Sequence, residues 1–226
     1  VVLVFARAPS PGRAKTRLAA SIGASRAARL QATLTLQAVR TALAARVGPV
    51  ELHASPPRHA FFAAARTRFS VPLVAQRGGD LGERMRRALE RALRRHRSAI
   101  LVGTDCPALG AADLRRAARS LRGACEAVLA PAEDGGYVLI ALRKSRASLF
   151  SGIAWGHPSV YADTAARLRA SGLRWRALRT LWDVDRPSDL QRLASARLAL
   201  LRRLTRAQAL SRASRRRGGG DKLRAP

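Results

Sequence analysis

Short apolar runs alternate with longer stretches of helical periodicity along most of this chain, which restricts it to a mostly parallel sheet flanked by helices. The apolar runs are Val1–Phe5, Val50–Ala54, Pro72–Ala75, Ile100–Gly103, Ala127–Ala130, Tyr137–Leu142 and Arg174–Leu181, which makes about seven strands. Between them lie helical stretches. One runs as far as Arg46, with Leu30, Leu34, Val39 and Leu43 on one face. Others cover Pro57–Phe69, the segment up to about Arg97, Ala111–Arg122 and Ser159–Ala170, and Pro187 opens a last one near Ser188–Leu204. The link from Ala130 to Tyr137 is too short for a parallel crossover. That pair is therefore a hairpin or includes an antiparallel strand.

A chain of 226 residues suits one large α/β domain or two small ones, and a 47% apolar share fits a globular core. The expected division is a domain over 1–195 and a basic end over 196–226, partly disordered. The net charge of +29 comes from 43 basic residues, of which only Lys15, Lys144 and Lys222 are lysine. Most of the arginines fall on Ala-rich helical stretches, the pattern of solvated helix faces. Nine arginines and Lys222 against Asp221 put about +9 of that charge in 196–226, a tail suited to nonspecific contact with polyanions. Cys106 and Cys125 show no metal-ligand spacing, as in a reduced, cytoplasmic protein. No apolar run approaches the roughly 18 residues of a membrane span, and Val1–Ala6 is too short for a signal-peptide core.

Only fourteen residues are acidic, yet Asp105, Glu133, Asp134, Asp183 and Asp185 all sit where apolar runs give way to loops. In parallel α/β sheets those strand ends form the ligand crevice. Carboxylates there suit a hard cation such as Mg²⁺ or Mn²⁺. Asp105 precedes Pro107 rather than a helix, so a cation is a better account of it than a cap. Asp183 and Asp185 are metal candidates too, since Ser188 and Asp189 are available to cap the helix that follows.

The loop after the first strand places Gly12, Arg13, Lys15, Thr16 and Arg17 where a glycine turn enters a helix, an arrangement that attracts phosphate. It lacks the Gly-Lys-Ser/Thr order of a P-loop. The turn Gly78-Gly79-Asp80 either touches a nucleotide or is a plain loop with Asp80 as helix cap. Gly135 and Gly136 either let backbone approach a ligand or make a tight turn. No nucleophile elbow is present.

Several segments in series resemble a bacterial family of GT-A-fold transferases. The family was long catalogued as a domain of unknown function, and some members are linked to arsenosugar biosynthesis. The matching residues are Phe5-Ala-Arg-Ala-Pro9 with Gly12 and Lys15-Thr-Arg-Leu18, then Gln76-Arg-Gly-Gly-Asp-Leu-Gly-Glu-Arg84 and Gly103-Thr-Asp-Cys-Pro107. Pro131-Ala-Glu-Asp-Gly-Gly-Tyr137, Trp155, and Asp183-Val-Asp185 with Pro187 and Asp189-Leu190 follow in order, so the likeness spans about residues 1–193. Arg7, where the family often has Lys, and His157 depart from the pattern.

The resemblance implies a three-layer, GT-A-like nucleotide-diphospho-sugar transferase fold on a mixed, mostly parallel sheet. It implies Asp105 as a metal ligand, with Asp183 or Asp185 completing the coordination of Mg²⁺ or Mn²⁺. Lys15 and Arg17 would hold phosphate oxygens beside Gly12, and Gly78, Gly79 and Asp80 would lie near the base and ribose. Glu133 or Asp134 would take the proton from the acceptor hydroxyl. Gly135, Gly136, Tyr137 and Trp155 would adjoin the sugar or acceptor. The expected reaction moves a sugar from a nucleoside diphosphate-sugar to a small-molecule acceptor. Two alternatives are nucleotidyl transfer from a nucleoside triphosphate, releasing pyrophosphate, and non-enzymatic binding of nucleic acid or another polyanion.

Overall fold

The computed structural model describes residues 1–195, so the basic tail over 196–226 lies outside the described residues. The chain divides into a compact unit Val1–Asp185 and a second that begins at Arg186. In the second unit residues 187–195 are helical, and the Asp189 carboxylate accepts from the Arg186 N–H at 2.7 Å, just ahead of that helix.

Seven strands form the sheet of the first unit: β1 (Val2–Arg7), β2 (Val50–Ser55), β3 (Leu73–Ala75), β4 (Ala99–Val102), β5 (Ala127–Pro131), β6 (Tyr137–Leu142) and β7 (Trp175–Ala177). Their spatial order is β3-β2-β1-β4-β6-β5-β7. Only β6 runs antiparallel to its neighbours β4 and β5, so the short link after β5 is a hairpin. The helices are α1 (Thr16–Ile22), α2 (Ala24–Ala45), α3 (Ala60–Phe69), α4 (Leu81–Leu93), α5 (Ala111–Arg122) and α6 (Val160–Ala170). The result is the three-layer α/β architecture, with a mixed, mostly parallel sheet, that the alternating pattern and the family resemblance together predict.

Strand alternation builds two cores. Val2, Val4 and Ala6 pack with Val39, Phe62 and Leu114 of α2, α3 and α5. Leu3 and Phe5 turn the other way, against Met85 and Leu89 of α4 and Leu168 of α6. Fully buried side chains such as Phe62 and Leu89 each contribute about 2–5 kcal/mol when judged by truncation to Ala.

Two details differ from the periodicity reading. The helical stretch up to Arg46 is broken at Gly23, whose φ of 83° is outside what L residues readily adopt. On α2, Leu43 is exposed and Leu30 half-buried. The buried stripe instead runs through Ala27, Gln31, Leu34, Thr35, Val39 and Ala42. A 22-residue helix whose apolar residues are mostly Ala gives Leu spacing little authority over which face turns inward.

On β2, His53 stacks on Phe5 with ring centroids 5.2 Å apart, and its Nε2 lies 2.9 Å from Glu51, which also pairs with Arg91 of α4. Burial holds the His53 imidazole below its ordinary pKa despite Glu51. A base depressed in this way supports folding above its unfolded value near 6.5, and that support is lost as pH falls through the folded value. Urea titrations should therefore show stability declining below pH 6.5, and His53→Gln should flatten the decline between pH 6.5 and 5.

Candidate active site

Because β1, β2, β3, β4, β5 and β7 are mutually parallel, the loops that follow them leave the same edge of the sheet. That edge collects residues 8–15, 76–80, 103–107, 131–136 and 178–185. Backbone hydrogen bonds fasten three of these loops. Val184 N–H donates to Asp105 O at 2.9 Å, Leu181 N–H to Pro131 O at 2.9 Å, and Glu133 N–H to Leu181 O at 2.9 Å. Asp105, Glu133 and the Asp183–Asp185 segment are thus neighbours by main chain, independent of their side chains.

Lys15 enters this group from the loop after β1. Its ammonium lies 3.0 Å from Asp105 Oδ2 and 2.8 Å from Asp185 Oδ1, and its side chain is 3% exposed while the two carboxylates are 43% and 41% exposed. The backbone at Lys15 is left-handed, with φ 50° and ψ 48°, a conformation that costs an L residue about 1–2 kcal/mol. Such strain persists where surrounding contacts hold it in place. Burial pulls the ammonium down, but Asp105 and Asp185 more than offset this and leave its pKa above the ordinary lysine value.

Asp183 is the most perturbed member. Burial first, then the charges of Asp105, Asp134 and Asp185, push its pKa up to about 7 against the partial relief of Lys15. Its Oδ1 is buried with no hydrogen-bond partner among the described residues. An orphaned buried oxygen amid like charges is one that a cation or a proton would satisfy. Next to it, burial and Asp183 push the Cys106 thiol up to about 12, so it stays protonated and is no nucleophile.

Behind Asp105 stand residues with no local sequence signal. Gln31 of α2 donates to Thr104 Oγ1 at 3.0 Å, in a buried contact that backs the loop after β4. The Asp113 carboxylate takes Arg179 Nε and Nη2 at 2.9 and 2.8 Å, and the same Nη2 reaches Ala108 O. This pair couples the helix after Asp105 to the segment leading to Asp183. The Arg179 guanidinium and the Gly110 N–H overcome burial and hold Asp113 below the usual carboxylate range.

The remaining candidates fall into a second group at the same edge. The Asp80 carboxylate caps α4 by accepting from Glu83 N–H at 2.7 Å, and Glu83 accepts in return from Gly79 N–H. The capping account of this turn therefore describes its side chain. Trp155 packs closely against Gly82, where an added Cβ would lie 2.4 Å from the indole nitrogen, and meets Tyr137 edge-on at 6.5 Å. The Tyr137 hydroxyl is buried, and its ring packs against the core. Asp134 Oδ1 accepts from Gly136 N–H at 3.0 Å. Gly12 (φ 73°) lies in the turn that delivers Lys15, and Arg17 is exposed on the first turn of α1.

Gly135 has a steric reason to be glycine. Its φ is 89°, an added Cβ would lie 2.0 Å from Pro158 O, and its own carbonyl accepts from Tyr161 N–H. Gly135→Ala should destabilise the protein by about 2–4 kcal/mol, combining left-handed strain with overpacking. Denaturant unfolding at one pH would show it as a lowered midpoint.

Among the described residues no three His, Cys, Asp or Glu side chains form a ready cage. Asp105, Asp183 and Asp185 nevertheless offer hard oxygens, one of them orphaned, and Mg²⁺ is commonly held by one or two carboxylates together with substrate phosphates. The residues fit a cation shared with a phosphorylated ligand. They do not fit one caged by protein alone.

Comparison with known proteins agrees with the fold. A family model described as "Uncharacterized protein conserved in bacteria (DUF2064)" matches residues 35–157. A solved structure from Desulfovibrio desulfuricans G20, provisionally assigned as a nucleotide-diphospho-sugar transferase, is 30% identical, with a TM-score of 0.75 over 82% of this chain and 81% of that one. A nucleotidyl transferase from Methanothermobacter is 16% identical, with a TM-score of 0.58 over 88% of this chain and 98% of that one. The 4-diphosphocytidyl-2C-methyl-D-erythritol synthase of Anaerococcus prevotii DSM 20548 is 10% identical, with a TM-score of 0.56 over 88% and 96%. At those lower identities the likeness is one of fold. No curated protein matches. Among the described residues no helix is long and apolar enough to cross a membrane. With its own sheet and family model in agreement, the chain belongs to the DUF2064 family and has the fold of the nucleotide-diphospho-sugar transferases.

Proposed function

We propose that this chain is a glycosyltransferase that moves a sugar from a nucleoside diphosphate-sugar to a small-molecule acceptor with the help of Mg²⁺ or Mn²⁺. The observation that carries the reading is the meeting of Asp105, Asp183 and Asp185 around the Lys15 ammonium at the carboxyl edge of the sheet. Asp105, Asp183 and Asp185 would hold the cation, which when bound supplies Lewis-acid neutralisation of the departing diphosphate.

The chain's own residues account for the rest. Lys15 and Arg17 offer positive charge to phosphate oxygens. The turn Gly78-Gly79-Asp80 offers backbone to the base and ribose, since the Asp80 carboxylate is engaged as a cap. Gly135, Gly136 and the rings of Tyr137 and Trp155 would line the sugar side. As the anomeric C–O bond to the diphosphate breaks and the acceptor oxygen bonds to that carbon, the acceptor's proton passes to Glu133 or Asp134. Asp134 has one oxygen on Gly136 N–H, which fixes the carboxylate as a base requires.

A panel of sugar nucleotides and nucleoside triphosphates, assayed with Mn²⁺ and candidate acceptors, tests this. Release of a nucleoside diphosphate from a sugar nucleotide is the expected result. Release of pyrophosphate from a triphosphate would replace sugar transfer by nucleotidyl transfer. In thermal unfolding, a shift requiring both sugar nucleotide and Mn²⁺ is expected, and its absence across the panel would overturn the reading.

A further inference from the structure

The position of Lys15 raises a question that phosphate binding alone does not answer. Its ammonium faces two carboxylates, is almost wholly buried, and is held on strained backbone. A solvated phosphate-gripping lysine has no need of any of these. We infer that the Lys15 ammonium competes with a divalent cation for Asp105 and Asp185, so that the cation binds tightly only together with a nucleoside diphosphate. This deepens the proposed reading and rests on it.

Three observations converge. The ammonium lies within 3.0 Å of Asp105 Oδ2 and Asp185 Oδ1, so a cation drawn to the same two carboxylates at about 2.1 Å comes up against it. A divalent charge placed on the same oxygens would also be repelled by the ammonium at close range. Second, among the described residues no three-ligand cage stands ready, so a free cation would have to dislodge the ammonium while gaining few protein ligands. Third, the Asp183 oxygen is left without a partner, although the ammonium lies nearby and satisfies its two neighbours. Lys15 thus neutralises part of the cluster and leaves part unmet. A diphosphate changes this balance. It offers the ammonium new acceptors and brings the cation further oxygen ligands, so both charges gain partners at once.

The consequence is linked binding: nucleotide and cation each strengthen the other's hold, by the same factor in both directions. A free cation at low concentration is ignored, and the carboxylates do not repel an incoming diphosphate as strongly as they would without the ammonium.

Binding of Mn²⁺ alone, followed by electron paramagnetic resonance at pH 8, tests the competition. Lys15→Met removes the charge and keeps the length. It is expected to bind Mn²⁺ at least tenfold more tightly than the unaltered protein and to regain with Mn²⁺ the thermal stability that it loses in EDTA. Equal or weaker Mn²⁺ binding by the folded variant would overturn the inference. Unaltered protein provides a second measurement should the variant not fold. With only three lysines in the chain, the Lys15 side-chain ¹⁵N resonance is readily assigned. Mg²⁺ alone should leave it in place, whereas Mg²⁺ with CDP, GDP, UDP or ADP should move it. Equal movement with Mg²⁺ alone would show that the cation displaces the ammonium unaided, which overturns the inferred linkage and leaves the proposed function standing. No movement with any of the four would overturn both.

Discussion

Asp183→Asn is expected to melt at a higher temperature than the unaltered protein at pH 8 in EDTA, by on the order of 5 °C or more, and to lose that advantage as pH falls toward about 4. The sign follows from the direction of the shift. Burial and the charges of Asp105, Asp134 and Asp185 raise the Asp183 carboxyl from near 3.8 to about 7 in the folded protein. A folded-state pKa above the unfolded one gives support that is complete below the unfolded value and lost as pH rises through the folded value. At pH 8 the protein carries the whole cost of the buried anion, at most about 4 kcal/mol for a shift of roughly three units. Asparagine has the same shape without the charge. In a protein of this size each kcal/mol is worth about 2–4 °C in melting temperature. The gap should narrow steadily as pH falls below the folded value of about 7, and the two proteins should coincide only near or below the unfolded value of about 3.8. A melting temperature for Asp183→Asn that is lower at pH 8, or a gap independent of pH, would refute the cause assigned to the shift. The same variant should lose the stabilisation that Mn²⁺ with a sugar nucleotide provides. An anion kept at a cost to folding is what a site selected for binding should contain.

Much of the fold was legible because its signals are local. A run such as Ile100–Gly103, followed by Thr104-Asp105-Cys106-Pro107, announces a buried strand and its end without help from the rest of the chain. The hairpin of β5 and β6 followed from the length of one link. β7 was legible only in part. The apolar stretch up to Leu181 predicts a longer strand, but regular pairing covers Trp175–Ala177, and Leu181 pairs separately with Ala132. The segment between them bends away to carry Asp183 toward Asp105, a need set by residues far off in sequence. The candidate carboxylates stood out because acidic residues are scarce in so basic a chain. Their relation to Lys15 did not, since a half-buried ion pair spanning 170 positions leaves no periodicity behind. The same holds for Gln31 with Thr104 and for Asp113 with Arg179. Asp80 illustrates the converse: its short-range bond to Glu83 is visible in the spacing, and that local account is the one its geometry follows.

Asp105→Asn should separate function from stability in the opposite way to Asp183→Asn. The main-chain bond from Val184 N–H to Asp105 O does not depend on the side chain, so the loops remain fastened. Lys15 keeps Asp185 at 2.8 Å, which spares it the penalty of an unpaired buried charge. The metal-free variant should therefore unfold within about 1 kcal/mol of the unaltered protein, as a partly exposed pair implies. Its transferase activity should fall by 10²-fold or more, the scale seen when a group that stabilises developing charge is removed. Removing one like charge beside Asp183 should also bring that carboxyl down from about 7, and with it the pH at which the metal-free protein loses stability. The two readouts constrain each other. Lost activity with an unmoved Asp183 titration would place Asp105 on the ligand but away from Asp183, and the shared-cation account would fail. Unchanged Mn²⁺-dependent binding of a sugar nucleotide would remove Asp105 from the site altogether. Only the loss of binding, a retained fold and a lowered Asp183 titration together match carboxylates that share one cation with a diphosphate.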